Sequence, residues 1–282
     1  MRVLITGNSG FVGSTLESKL QQSRAEIFSI SRDLTIKNHT KQQVSVSELN
    51  DAPIDVIYHC AASHPAISKY EIDIYEGNVL FSQKIIDVAE KTNAKVFVFC
   101  STISIYGTHR PGLLELSSEI IEPSAYGKSK KTVENILIDW AKNHTCNYHI
   151  VRLPGIIGRG AHQTFLGKLT KCLLTNNSLT INHPESLYNH GVLIDDLCNF
   201  LISLGNMTSQ SSLCQLGSDN PVTLNRIVEI LSNSLNKRSK NIRFSDTLSG
   251  PIDISDAKEL GYKSVSTETL IQKFLNTQRN SC

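Results

Sequence analysis

The first half of the chain alternates short unbroken apolar runs with stretches whose apolar residues recur every three or four positions. Residues 2–5 form an apolar run that stops at Thr6-Gly7, as a buried strand does on meeting a turn. Residues 26–30, 55–60, 96–100 and 148–153 are further runs of strand length. Between them, 14–22 places Leu16 and Leu20 among polar residues, and 75–91 sets Val79, Ile85, Ile86 and Ala89 on one side. Residues 132–144 repeat that helical spacing. Strands separated by helices imply parallel pairing, because parallel neighbours need crossover connections. The unbroken Val96-Phe97-Val98-Phe99 suits a sheet covered on both faces. The pattern therefore predicts an α/β fold with a doubly wound parallel sheet. Residues 31–55 are polar and short for a helix plus a strand, and read as irregular. Beyond 153 the pattern loosens around Gly155, Gly158 and Gly160. A helix near 165–174, a strand-to-helix passage at 192–204 and a helix at 222–235 with Thr223 as N-cap follow, then two short helices after Pro251.

Composition narrows the class. A chain of 282 residues, 40% hydrophobic and 19% charged, has room for one main domain and a smaller lobe. A net charge of +2 without a long basic run gives no footprint for nucleic acid, and the basic stretch at 236–240 reads as a solvated loop. No apolar run reaches the roughly 18 residues of a membrane span, and nothing at Met1 resembles a leader peptide. A cytoplasmic location is the expectation. The seven cysteines are scattered and never form C-x-x-C, which fits reduced thiols rather than a disulfide framework or a metal site. Cys60 and Cys100 sit inside apolar runs and read as core.

Gly7-Asn8-Ser9-Gly10-Phe11-Val12-Gly13 follows the first strand and opens the first helix. The first glycine permits a tight turn, the second a close backbone approach to a pyrophosphate, and the third close helix–sheet packing. The N–H groups at the helix start then hold the phosphates. This spacing resembles that of the short-chain dehydrogenase/reductase superfamily. The chain resembles its extended branch, the NAD(P)-dependent nucleotide-sugar epimerases and dehydratases. The likeness rests on His59-Cys60-Ala61-Ala62, Asn78, 101–107, 126–130, Arg152-Leu153-Pro154-Gly155, 191–197 and 221–231.

The resemblance implies a Rossmann fold with a smaller C-terminal substrate-binding lobe. The dinucleotide-binding domain is expected at 1–155, completed by about 188–210, with the substrate lobe at 156–187 and 211–282. Cofactor contacts are expected from Gly7, Ser9, Gly10, Phe11, Val12, Gly13, Ser31, Arg32, Ala61, Ala62, Asn78, Tyr126, Lys130 and Leu153. Ser31 stands where NAD-using relatives commonly carry an acid, and Arg32 follows. An acid there would accept from the ribose hydroxyl, whereas an arginine accommodates a 2′-phosphate. NADP(H) is therefore the expected cofactor, with NAD(H) the alternative if Asp33 takes the ribose.

Tyr126 and Lys130 are four residues apart, hence on one helical face. A nearby ammonium lowers the pKa of a phenol, and the pair can exchange a proton with an alcohol or carbonyl during hydride transfer. Thr102 corresponds to the family's catalytic hydroxyl, with Ser101 and Ser104 close enough to be mistaken for it. His64, Ser104 and Arg159 are candidate substrate contacts, and His109, His190 and Lys168 weaker ones. The family's dehydratases carry Asp-Glu after the catalytic threonine; here Ile103 and Ser104 stand there, which argues against dehydration. The resemblance then implies a nucleotide-sugar 4-keto reductase. The alternatives are a 4-epimerase with bound NAD and a non-catalytic redox sensor. Helix 128–144, with Val133, Ile136, Leu137 and Trp140, offers a homodimer face.

Overall fold

The computed structural model describes residues 1–49, 52–63, 70–107, 111–161, 164–175, 177–237 and 241–279. The elements run β1 (Arg2–Thr6), α1 (Phe11–Gln22), β2 (Glu26–Ile30), β3 (Ile36–Asn38), β4 (Gln43–Val44), α2 (Val46–Leu49), β5 (Val56–His59), α3 (Glu71–Lys91) and β6 (Val96–Thr102). A 3₁₀ turn at Ile103–Tyr106 precedes α4 (Ala125–Ala141) and β7 (Asn147–Leu153). Then come β8 (Gly155–Ile157), α5 (Phe165–Leu174), β9 (Leu179–Ile181), β10 (Leu187–Tyr188), β11 (Gly191–Leu193), α6 (Ile194–Gly205) and β12 (Ser212–Gln215). The chain ends with β13 (Val222–Thr223), α7 (Leu224–Leu235), β14 (Ile242–Phe244), α8 (Ser255–Glu259) and α9 (Thr267–Arg279).

Two compact units divide the chain. The first comprises Met1–Gly107, Ile120–Arg152 and Leu197–Cys214. Among the described residues it holds a sheet of eight strands in the order β12-β7-β6-β5-β1-β2-β3-β4. β1 pairs in parallel with β2 on one side and β5 on the other, and β5 pairs in parallel with β6. The order reverses at β1, so the carboxyl ends of β1 and β5 flank a crevice of the kind that binds ligands in open α/β sheets. All seven residues of β6 are buried, which is why its sequence does not alternate. Leu4, Phe28, Ile57, Phe97 and Phe99 from one sheet face pack with Ile85 of α3 and with Val133 and Leu137 of α4. This is the Rossmann-type architecture that the pattern predicts.

The sheet is mixed rather than wholly parallel. β3 and β4 add antiparallel to β2 as an edge meander. They fill the stretch that reads as irregular, because strands of three and two residues are too short to show alternation. Their turns rely on residues at positive φ, Leu34 (64°) and Lys41 (64°), and on Asn38 Oδ1 accepting from Thr40 and Gln42 N–H.

The second unit comprises Thr108–Glu119, Leu153–Asp196 and Gln215–Cys282. Its core gathers Leu166, Leu169 and Leu173 of α5, Ile227 and Leu231 of α7, and Leu270, Ile271 and Phe274 of α9. Two-stranded pairs β8–β11, β10–β13 and β9–β14 frame it. Among the described residues, no helix is long and apolar enough to cross a membrane.

Candidate active site

The glycine loop joins β1 to α1. Gly7 has φ +71°, and a Cβ there would lie 2.8 Å from the Ala61 backbone at the end of β5. A Cβ on Gly13 would run into the Gly7 carbonyl oxygen. Gly10, in extended conformation, precedes α1 and gives it no side-chain cap. The helix therefore presents its first N–H groups, from Phe11, Val12 and Gly13, beside a backbone surface stripped of side chains. Loop and helix end have the space and the donors that a pyrophosphate would need. Ser9 is exposed, and Ala61 and Ala62 are half-buried at the end of β5.

Lys130, 3% exposed, donates from Nζ to the Cys100 carbonyl at 2.7 Å and lies 4.6 Å from the centre of the Phe99 ring. Burial lowers its ammonium to about 8, against the pull of the nearby cysteines and Glu134. Tyr126 opens the same helix and is half-buried. Burial first, and the field of Cys100 second, push its phenol above the ordinary tyrosine value. Desolvation, and not the expected lowering by Lys130, sets the direction of its shift in this arrangement. Thr102 Oγ1 accepts from Ser104 N–H at 3.1 Å and caps the 3₁₀ turn. That bond uses a lone pair and leaves the hydroxyl proton for another partner. Ser101 turns to Glu134, donating to Oε1 at 2.6 Å, while Ser104 is exposed. Of the three neighbouring hydroxyls, Ser101 is thus committed to a buried ion pair.

A chain of hydrogen bonds runs from the cradle to the tyrosine helix. Ala61 N–H donates to Thr6 Oγ1, which meets His59 Nδ1 at 2.7 Å; His59 Nε2 meets Ser82 Oγ at 2.8 Å. Ser82 donates its only proton to the Asn78 carbonyl, so His59 must donate from Nε2 and accept at Nδ1 from Thr6. Burial, with the Lys130 charge adding, holds this imidazole well below its usual value and keeps it neutral. Asn78 Oδ1 accepts from Ser63 N–H at 2.6 Å, and its Nδ2 donates to the Ser63 carbonyl and to Ser129 Oγ. Ser129 in turn donates to the Tyr126 carbonyl. Asn78, buried on α3, therefore holds the loop after β5 against the helix that carries Tyr126 and Lys130.

Two features escape sequence reasoning. Glu134 lies one turn beyond Lys130, fully buried, and accepts from Arg152 Nε and Nη2 at 3.0 and 2.8 Å. Arg152 also donates to the Tyr106 hydroxyl at 2.7 Å. Charged residues in helix and strand patterns ordinarily read as solvated, so only their mutual pairing reveals them. Gly127 is the second: a Cβ there would strike the Ser104 carbonyl oxygen. Its absence lets α4 close onto the 3₁₀ turn. Thr102 thus sits between two contacts with α4, Lys130 on Cys100 and Gly127 on Ser104.

The remaining candidates are dispersed. His64 and His109 lie outside the described residues. Ser31, Arg32 and Asp33 are exposed after β2, and Ser31 Oγ donates to Asp33 Oδ1 at 2.5 Å. Hydrogen bonds from Ser31 and Thr35 hold the Asp33 carboxyl below its usual value. Leu153 is buried at the end of β7. Arg159 is exposed in the second unit and lines a cavity of about 220 Å³ with Thr164, Gly167, Phe274 and Gln278. Lys168 is exposed on α5. His190 contacts the Gly250 carbonyl and stacks on Tyr188. On α4, Val133 and Leu137 are core, and Ile136, Ile138 and Trp140 are partly buried against it.

Residues 3–197 match the model of the NAD dependent epimerase/dehydratase family. A D-erythronate dehydrogenase of Haemophilus influenzae is 28% identical over 55% of this chain; the chain spans about half of that relative, 55% of its length. A putative UDP-glucose 4-epimerase of Methanocaldococcus jannaschii is 22% identical over 99% of both chains. The crystal structure of UDP-glucuronic acid 4-epimerase from Bacillus cereus in complex with NAD superposes with a TM-score of 0.78. It is 22% identical, over 98% of this chain and 96% of that one. These findings correct the expected preference for NADP(H): the matched family is NAD dependent, and that structural relative holds NAD. The physical reason that the structure offers is Asp33: its carboxylate, held beside Ser31 and below its usual value, would accept from ribose hydroxyls and would repel a 2′-phosphate, while Arg32 is exposed.

Proposed function

Because the chain belongs to the NAD dependent epimerase/dehydratase family, and is by that membership an NAD-dependent oxidoreductase, we propose that it epimerises a nucleotide sugar at C4. The keto-reductase expectation leaned on NADP(H) and goes with it. The observation that carries the reading is the Tyr126–Lys130 face of α4 closed onto Thr102, with Ile103 and Ser104 where elimination would need carboxylates. Full-length likeness to a putative UDP-glucose 4-epimerase and to a UDP-glucuronic acid 4-epimerase supports it.

NAD, when bound, supplies a hydride acceptor that is reversible at a ring carbon. The cradle N–H groups of Phe11, Val12 and Gly13 bind its pyrophosphate, and Asp33 orients the adenosine ribose. Tyr126 moves the proton at the sugar O4. Its raised pKa makes it a proton holder at neutral pH, and the Lys130 ammonium stabilises the phenolate when the proton leaves. Thr102 holds the same oxygen through the hydroxyl proton that its cap leaves over. Asn78, through Ser63 and Ser129, keeps the tyrosine helix in place. Residues 156–187 and 211–282 would form the substrate lobe.

The test incubates purified protein and NAD with UDP-glucose and UDP-glucuronic acid, and follows the anomeric signals of the C4 epimers by NMR. Tyr126→Phe is expected to cut turnover by about 10²–10⁴-fold, the usual weight of a proton-transfer group. Stoichiometric use of reduced cofactor on 4-keto sugars, with no epimer formed, would restore the reductase.

A further inference from the structure

Cys60 and Cys100 follow the last registered pair of β5 and β6, His59 with Phe99. Neighbouring strands run about 4.8 Å apart. That spacing falls inside the roughly 4.4–6.8 Å over which two Cα atoms can be bridged by a disulfide. The sulfurs are already in contact, 3.7 Å apart. Cys60 is half-buried, Cys100 buried, and both are free thiols. Their hydrogen bond lowers the Cys100 thiol and raises that of Cys60; the Lys130 ammonium draws both down, against burial.

We propose that Cys60 and Cys100 form a peroxide-reactive dithiol that closes to a disulfide and disables the cofactor cradle. The half-buried Cys60 meets the peroxide first. Its sulfur attacks one peroxide oxygen, the O–O bond breaks, and the departing hydroxide takes up the Cys60 proton and leaves as water, giving a sulfenic acid. The Cys100 sulfur then attacks the Cys60 sulfur; the S–S bond forms, the S–O bond breaks, and the Cys100 proton leaves with the oxygen as water. Two thiols are oxidised and one hydrogen peroxide is reduced to two waters. Contraction of the sulfur contact pulls on two functional backbones. The Cys100 carbonyl is the acceptor of Lys130, and Cys60 leads directly into Ala61, against which Gly7 packs.

The purified protein is treated with hydrogen peroxide, denatured, alkylated and digested, while NADH binding is followed by fluorescence on a parallel sample. The expected result is a dithiothreitol-reversible link between the Cys60 and Cys100 peptides, with NADH binding lost and regained in step. This readout does not depend on which sugar is turned over. A Cys60 sulfinic acid beside an alkylated Cys100, a link from Cys60 to another cysteine, or alkylation of both would overturn the proposal. So would a link that leaves NADH binding unchanged. In Cys100→Ser, Cys60 should stop at the sulfenic acid and be captured by dimedone; its absence there counts equally against the pair.

Discussion

Replacing Glu134 by Leu leaves Arg152, 3% exposed, as a buried charge whose carboxylate partner is gone. The guanidinium keeps only Tyr106 among the partners named above, and Ser101 and Lys131 lose their acceptor as well. Breaking one side of such a pair costs about 3–5 kcal/mol. With an m-value of about 3 kcal/mol/M, the urea midpoint should fall by about 1–1.7 M. Arg152→Met strands the Glu134 carboxylate in the same way and should cost a similar amount. The double variant replaces the pair by apolar groups of comparable volume. It leaves only hydroxyls and a half-exposed lysine short of a partner, at roughly 1 kcal/mol each. It should therefore be more stable than either single variant. Trp140, the one tryptophan, lies on the same helix and reports this unit's unfolding by fluorescence. If the double variant loses the sum of the two single losses, to within about 0.5 kcal/mol, the residues are energetically independent and the reasoning is refuted.

Three further outcomes follow from the site. Gly13→Ala places a methyl on the Gly7 carbonyl oxygen and should leave a folded protein that no longer retains or binds NAD, read by titration calorimetry; unchanged affinity would mean that the loop does not hold the pyrophosphate. Turnover should fall as pH rises through about 8, where Lys130 loses the charge that supports the Tyr126 phenolate, and a profile flat to pH 10 would remove Lys130 from that role. His59 and His149 are held neutral by burial. Between its folded value and the unfolded value of about 6.5 only the unfolded chain takes up each proton, so each should cost at most about 1.4 kcal/mol per pH unit over that window on acidification. His149→Gln should remove one of the two contributions from the slope of stability against pH, and an unaltered slope would show that His149 does not titrate on unfolding.

What the sequence reveals is what repeats or is punctuated by glycine. β6 shows itself as an unbroken apolar run because both its faces are covered, and the cradle because three glycines fall between a strand and a helix. Tyr126 and Lys130 are legible through helical spacing taken together with the glycine loop upstream and the family resemblance. The β3–β4 meander is not, since a two-residue strand has no period. The cofactor preference is legible only as an alternative, through Asp33, which lies two residues past the position that a motif comparison inspects and whose hydrogen bond to Ser31 is a matter of loop geometry.

Buried polar groups are legible only through the resemblance, as at His59 and Asn78, or not at all, as at Glu134, and they do the positioning. His59, Asn78 and Glu134 sit on three different elements, and each has its hydrogen-bonding capacity directed at a neighbouring element. A group so buried costs several kcal/mol if left unpaired, so each constrains the relative placement of its partners more sharply than an apolar contact of equal area would. The His59 imidazole joins the ends of β1 and β5 to α3, Asn78 joins α3 to α4, and Glu134 joins α4 to β6 and β7. With the β5–β6 pairing they close a ring through α3, α4 and the sheet. The apolar core could tolerate small shifts of α4 along the sheet. The ring cannot, because any such shift breaks a bond to a buried partner, and the register of Tyr126 and Lys130 against Thr102 is fixed by that asymmetry.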